Sequence, residues 1–235
     1  MATNPVTPVP FEDLRKAANS TAFVRKFSQT ILYLGPEDAP DLTSMIDESG
    51  TMIAPIPPEY WPVGLLAKDD GVKVTTDISW DETEALGYSD PILKTADKTD
   101  RKLTFAPFEL MRWPLFALTH GIPVEPVPAM GANGEVVVDT PPMPTTEFFR
   151  GIRVSVDGAG GRLWVYGSWF PRLQNEASPE ESFASAAQVA PLEMTISTDT
   201  VVGTPARHFI GGPAMLANRE ALGYVLADAG TVPVP

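Results

Sequence analysis

Between residues 72 and 80, apolar Val72, Val74, Ile78 and Trp80 alternate with Lys73, Thr75, Asp77 and Ser79. A period of two predicts a β-strand with one apolar face for the core and one wet face. The same alternation predicts a second strand in "DRKLTFAPFE", with residues 82–99 as a polar connection between the two. "TAFVRKFSQTILYLG" (21–35) reads as an earlier strand region, stopped by Gly35-Pro36. "EFFRGIRVSVDG" and "GRLWVYGSWFPRL" read as two strands joined by a hairpin at Asp157–Gly161, and "LEMTISTDT" as another. Helical spacing is rarer. It predicts a short helix over 11–19 and a second over 107–120, with Pro107 at its start and Gly121 after its end. Pro114 sits awkwardly inside that second helix, where it removes a hydrogen bond. Ser178, Pro179 and Glu181 match a capping box for a segment ending near Gln188, and a last helix is expected from Pro213 to Leu222.

Between these elements the chain is punctuated by proline. Pro5, Pro8 and Pro10 mark residues 1–10 as an extended arm. Residues 36–60 form a long stretch with little periodicity, of a kind that usually has a task outside its own domain. No repeat and no shift of composition divides the chain. The expectation is one domain over 1–235, mainly β with minor helix (α+β): a two-sheet β-sandwich or barrel with a flanking α-helix and long loops.

Composition narrows the function. Thirty acidic against seventeen basic residues give a formal charge of −13, which disfavours a nucleic-acid groove built on clustered Lys and Arg. The absence of cysteine removes disulfides, thiolate catalysis and cysteine-based zinc sites. The start of the chain lacks the pattern of a signal peptide, and no apolar run is long enough for a membrane-spanning helix.

Candidate chemistry is sparse. Asp81, Glu82 and Glu84 could pair for glycoside cleavage, but they are expected in a wet turn where nothing separates their pKa values. The residues before Gly71 lack the oxygen ligands of an EF-hand at the first and third positions. His120 is expected to cap helix carbonyls, and His208 to be structural or exposed. No "GxSxG" elbow is present, and "GAGG" at 158–161 lacks the Lys of a phosphate loop. Trp164 and Trp169, five residues apart on one strand, are expected on opposite faces, as core and subunit interface. No catalytic, cofactor or metal residues are assigned.

The run "GLLAKDDGVKVTTDISWDETEALGYSDPILKTADKTDRKLTFAPFELMRWPLFALTHG" resembles the central module of major tail tube proteins of long-tailed (siphovirus-type) bacteriophages, nearest to those of actinobacterial hosts. The shared features are Gly64-Leu65, an Asp-Gly turn before an alternating strand, a polar connection, a Thr/Phe strand, Glu109, and a helix ending at Gly121. "FVRKFSQTILYLGPEDAP", "WVYGSWFPRL" and "LEMTISTD" resemble the flanking strands, so the likeness spans roughly residues 22–200. Pro114 and the segment 178–188 depart from it.

The resemblance implies a non-enzymatic virion protein without a cofactor, made in the host cytoplasm. Six copies form a ring whose sheets join into one β-barrel, and rings stack into a tube that carries DNA from capsid to host. Implied partners are the subunit itself, a tape measure protein, and tail terminator and distal tail proteins, with DNA as passing cargo and no membrane. Residues 36–60 then become an inter-ring loop that gains its order from a partner, with Met52, Ile53, Tyr60 and Trp61 as contact candidates, and 201–235 a C-terminal extension. With apolar strand faces turned to the core, Thr75, Asp77 and Ser79 are expected to line the bore with Glu193, Thr195, Ser197 and Asp199. A carboxylate-lined bore would let DNA slide without sticking. The rival readings are a carbohydrate-binding or glycoside-cleaving β-sandwich of a phage adhesin, using Trp113, Trp164 and Trp169, and a head–tail connector or capsid decoration protein.

Overall fold

The computed structural model describes residues 10–18, 23–68, 71–87, 89–176 and 189–226. The capping box expected at 178–188 lies outside them. The fold is mainly β, as the alternation predicts. Its strands are β1 (Gln29–Pro36), β2 (Trp61–Pro62), β3 (Val72–Thr83), β4 (Leu93–Phe105), β5 (Phe148–Asp157), β6 (Trp164–Asn175), β7 (Leu192–Ile196) and β8 (Arg207–Gly211). Among the described residues three α-helices accompany them: α1 (Phe11–Ala18), α2 (Trp113–His120) and α3 (Pro213–Ala217). All pairings are antiparallel, in the order β2-β1-β5-β6-β7-β4-β3, and β8 pairs with the first half of β6. The sheet is not closed.

A bulge explains how one strand serves two cores. Phe149 pairs with Leu173 and Gly151 with Phe170, so Pro171 and Arg172 together face Arg150. Proline in a central strand belongs at such a bulge, where its missing N–H leaves no ladder bond unmade. The extra residue flips the side-chain parity of β6. Before the bulge Val165 and Trp169 enter a core with Ile152 and Val154; after it Leu173 joins Phe170 in the other core. That first-named face holds Ala39, Leu42, Met45 and Tyr60 from the long loop. The other core gathers Leu32 and Leu34 of β1 with Leu103 and Phe105 of β4 and with Leu115 and Leu118 of α2. Strands β1 and β4 are far apart in sheet order yet share this core, so the sheet curls around it. The segment after β2 spans the remaining gap, through Ala67 N–H to Ala106 O and Phe108 N–H to Leu65 O.

Four expectations need correction. First, β3 and β4 run much further than the alternation shows. Residues 93–99 form strand rather than connection, and Asp81 and Glu82 lie on β3 rather than in a turn. Outer β4 is polar on both faces, so it has no period to read, and its strand state comes from pairing with β3. Second, α2 begins at Trp113, not Pro107, which instead bridges to Leu66. Pro114 therefore falls in the first turn, where its absent N–H costs nothing. Gly121 ends the helix with φ of 64°, as a left-handed cap should.

Third, residues 36–60 are held by their own domain. Tyr60 is 4% exposed, its hydroxyl donates to Pro40 O at 2.8 Å and accepts from Trp169 Nε1–H at 3.0 Å. Gly167 leaves room for Met45: a Cβ there would stand 2.4 Å from the Met45 methyl carbon. Fourth, the segment from 201 is no mere extension, since β8 is an integral strand on β6. The expected last helix is shorter, Pro213–Ala217.

Candidate functional site

The β3–β4 hairpin is the feature with most surface left unused. Among the described residues strand β3 pairs only with β4, and β4 meets β7 only over Lys102–Phe105. Among the described residues nothing buries the outer hairpin, where 73–83 and 93–98 are exposed. One face continues the apolar lining of the core: Val72 packs against it, beside Leu103 and Phe105. Further out on this same face Val74, Ile78 and Trp80 are 37%, 45% and 51% exposed. The alternation correctly separates the two faces, but the core ends before the strand does. The placement of Val74, Ile78 and Trp80 against the core is thus overturned. Their only cover within the hairpin is local, such as the Lys94 ammonium 5.4 Å from the Trp80 ring centroid.

The opposite face brings together Thr75, Asp77 and Ser79 of β3 with Glu193 and Thr195 of β7, across β4. Ser197 continues the row past β7, its N–H bound to Arg172 O. Strand β4 lies between and supplies what reading β3 and β7 alone omits: Lys98 opposite Ser79, Asp100 opposite Asp77, and Lys102 opposite Thr75 and Thr195. Lys102 reaches Glu193 at 2.6 Å and Glu176 at 3.5 Å, and Lys98 reaches Asp100 at 2.7 Å. The hydrogen bond it donates to Glu193, then the charge of Glu193, holds the Lys102 ammonium above its ordinary pKa. The face is accordingly a mixed field of compensated charges, rather than a purely acidic one. Asp77 directly faces Asp100, a like-charge pair that disfavours the isolated hairpin.

Asp199 does not belong to this face. It is 6% exposed and lies past the end of β7, where Oδ1 accepts from Val201 N–H at 2.7 Å and Val202 N–H at 2.9 Å. The Val202 N–H, opposed by burial and helped by Val201 N–H, Arg150 and Arg172, holds its carboxyl below the usual range. A depressed folded pKa contributes stability that is present above the unfolded value and lost as pH falls through the folded one. Asp199→Ala is expected to cost about 1–3 kcal/mol by leaving two N–H groups uncovered. Urea melts from pH 6 downward should also show a shallower acid loss for Asp199→Asn than for the parent. Equal midpoints at neutral pH for Asp199→Ala and the parent would show that the turn does not need this carboxylate.

The loop residues divide. Met52 and Ile53 are exposed, near a turn tied by Asp47, whose carboxylate accepts from Thr51 and Met52 N–H. Tyr60 is spent on its own core, which removes it from the contact candidates. Trp61 is half-buried beside the core that gathers β1, β4 and α2. Glu109, distant in sequence, meets Gly64-Leu65: its Oε1 accepts from Leu65 N–H at 2.8 Å, and Gly64 adopts φ of 88°. A Cβ on Gly64 would stand 2.4 Å from that carboxylate, so glycine is needed on both counts.

A further polar layer joins Arg153, Ser168 and the exposed His208. Ser168 Oγ lies 3.0 Å from His208 Nδ1, but the serine is fully buried and its further partner is Arg153 Nη2 at 2.9 Å, not a carboxylate. Burial, then the Arg153 charge, lowers the His208 pKa. This layer was not legible in the sequence, because its members lie on three strands. His120 Nδ1 lies 2.9 Å from Phe116 O, one turn back within α2, while the carbonyls of Ala117 and Leu118 at its end are capped by the Gly121 and Ile122 N–H groups. Trp164 and Trp169 fall on opposite faces of β6 and both are buried, Trp164 under the Arg25 guanidinium. Among the described residues no group of three His, Asp or Glu side chains could hold a metal ion. None of the described helices is long and apolar enough to cross a membrane.

Compared with known proteins, the chain matches no family model and no curated sequence. Among solved structures it is similar to a chain of the anti-feeding prophage (AFP) baseplate, determined by cryo-EM with 6-fold symmetrisation. The two share 9% identity over 83% of this chain and 99% of that one, with a TM-score of 0.43. At that score the likeness carries no argument about function, and the reading below rests on the chain's own geometry and motifs.

Proposed function

We propose that the chain is a structural, non-enzymatic virion subunit of a phage tail, and specifically a ring-former whose rings of six stack into the tail tube. The observation that carries this reading is the β3–β4 hairpin, whose apolar face runs on from the core into solvent beside an unpaired β3 edge. A long flat edge with exposed apolar side chains is an aggregation hazard in a monomer and is normally blunted. A subunit that completes its sheet with a neighbour has the opposite requirement. Head-to-tail addition of such hairpins makes a heterologous contact, which closes into a ring when the rotation permits.

In this assembly the apolar stripe faces the neighbour, and the row Thr75, Asp77, Ser79, Glu193, Thr195 and Ser197 faces the bore. The lysines of β4 are partly offset on this face, Lys98 by Asp100 and Lys102 by Glu193 and Glu176. Met52 and Ile53 are the loop side chains available to an adjacent ring. Tape measure, terminator and distal tail proteins are the partners this role implies. A carbohydrate-binding sandwich is less well supported, since two of its three candidate platform residues, Trp164 and Trp169, are buried.

Negative-stain microscopy and native mass spectrometry of the concentrated protein test the reading. Six-membered rings or stacked tubes are the expected result. A species that stays monomeric at every concentration, and also in mature particles, would overturn it; a single ring that never stacks would point to the connector reading instead.

A further inference from the structure

Beside α2, one end of β1 and β5 opens into a groove of about 660 Å³. Its walls include Trp61, Trp113 and Phe148, and Trp113 is fixed by its own Nε1–H, which donates to Val124 O at 2.7 Å. Glu37, Glu59, Glu125 and Glu147 line the same groove, and no Lys or Arg does. One end already shows what this combination holds. The Arg172 guanidinium carbon lies 3.6 Å from the Phe148 ring centroid, while its Nη1 donates to Glu37 Oε1 at 2.8 Å. A flat, weakly hydrated cation suits an aromatic face and a carboxylate at once. Trp61 and Trp113 with Glu59 and Glu125 offer the same chemistry. Neither of these two carboxylates has a cation of its own among the described residues.

We propose that this groove receives Arg162 of a second copy of the chain, joining copies end to end. Among the described residues Arg162 is the exposed arginine with no carboxylate partner. Arg15, Arg25, Arg112, Arg150, Arg172 and Arg219 each pair with Asp or Glu, and Arg101, Arg153 and Arg207 are half-buried. Lys26 and Lys68 are exposed too, but an ammonium lacks the flat face that Arg172 lays on Phe148. Arg162 stands on the 3₁₀ turn Gly160–Arg162 between β5 and β6, closed by Arg162 N–H to Ala159 O and Leu163 N–H to Gly160 O. Residues 158–161 are glycine and alanine, so no bulky side chain precedes it on the turn. Asp157 and Trp164 flank that turn, whereas Phe148, at the other end of β5, lies in the groove. The ten residues of β5 hold the two ends roughly 30 Å apart. One arginine cannot span that distance, so the occupant comes from another copy. A projection at one end and its receptor at the other make a heterologous contact, which repeats without closing. In rings of six the same contact would join each ring to the next, a role that rests on the ring reading above; the contact itself needs only two copies.

The test uses the full chain carrying Gly161→Cys/Val127→Cys and a short bismaleimide; the chain has no cysteine of its own. A Cβ at Gly161 meets open space and Val127 is exposed, so both thiols should leave the fold intact. Crosslinking of the concentrated protein is expected to give ladders of joined copies, with mass spectrometry finding 161 linked to 127. Arg162→Glu in this chain should lower that yield about tenfold, because it sets a carboxylate against carboxylates. Adding Glu59→Arg/Glu125→Arg to Arg162→Glu should restore the yield, which a merely structural role for Arg162 would not produce. Links of 161 to 161 or of 127 to 127 alone, or no link at any concentration, would overturn the proposal. So would a yield that Arg162→Glu leaves unchanged or that the reversed charges fail to restore. Ladders linked 161 to 127 in open chains of copies, without six-membered rings, would keep this contact and remove the ring; rings without that link would do the reverse.

Discussion

An Ile78→Asp/Trp80→Asp subunit is expected to fold as the parent does and to remain monomeric. Full burial of a large apolar side chain contributes about 1.5–3 kcal/mol, so covering the exposed parts of Val74, Ile78 and Trp80 is worth about 2–4 kcal/mol per contact. A carboxylate left unpaired in that contact adds a cost of about 3–5 kcal/mol. The sum weakens each contact by roughly a thousandfold or more. The monomer loses little, because these side chains stand outside both cores. Size-exclusion chromatography and microscopy read the assembly, and thermal melting reads the fold. Asp77→Asn on the opposite face is the control and should leave assembly intact. Normal rings from the double variant would remove the hairpin stripe from the interface.

The second large effect is expected at Trp169. Trp169→Ala should destabilise the domain by about 3–5 kcal/mol, a large share of the 5–15 kcal/mol typical of a folded domain. Three things are lost together: a fully buried indole, the ring beneath the Arg150 and Arg207 guanidinium groups at 5.5 and 5.3 Å, and the N–H that holds Tyr60. Tyr60→Phe separates the last of these. It keeps the ring but strands the Trp169 N–H and Pro40 O, at a cost of about 1–3 kcal/mol. Limited proteolysis of Tyr60→Phe should then cut within 36–60 before the strands. Identical urea midpoints for Tyr60→Phe and the parent would show that the loop is not pinned there. This outcome also decides between a loop that folds with its own domain and one that waits for a partner.

What the linear pattern determined was the local state of segments whose two faces differ. Alternation at Val72–Trp80 and Leu192–Ile196 identified strands and assigned Thr75, Asp77, Ser79, Glu193 and Thr195 to one side, since side-chain direction in a strand depends only on parity. Glycine and proline likewise carried their meaning locally, as at Gly121 and at Asp157–Gly161. Where the face leads was decided only by the tertiary structure. Parity separates two faces but cannot say how far a core extends along one of them, so Val74, Ile78 and Trp80 were read as core and stand in solvent. Outer β4 and β8 were invisible because neither is amphipathic; each is a strand through hydrogen bonds to a partner strand, β3 in the hairpin and β6 across some forty residues. Asp199 seemed to continue an alternating row, yet two backbone N–H groups past the strand's end turn it inward. Tyr60 and the loop around it show the same limit. Their order comes from Trp169, Gly167 and Met45 meeting across more than a hundred residues, and long-range packing of that kind leaves no period in the chain.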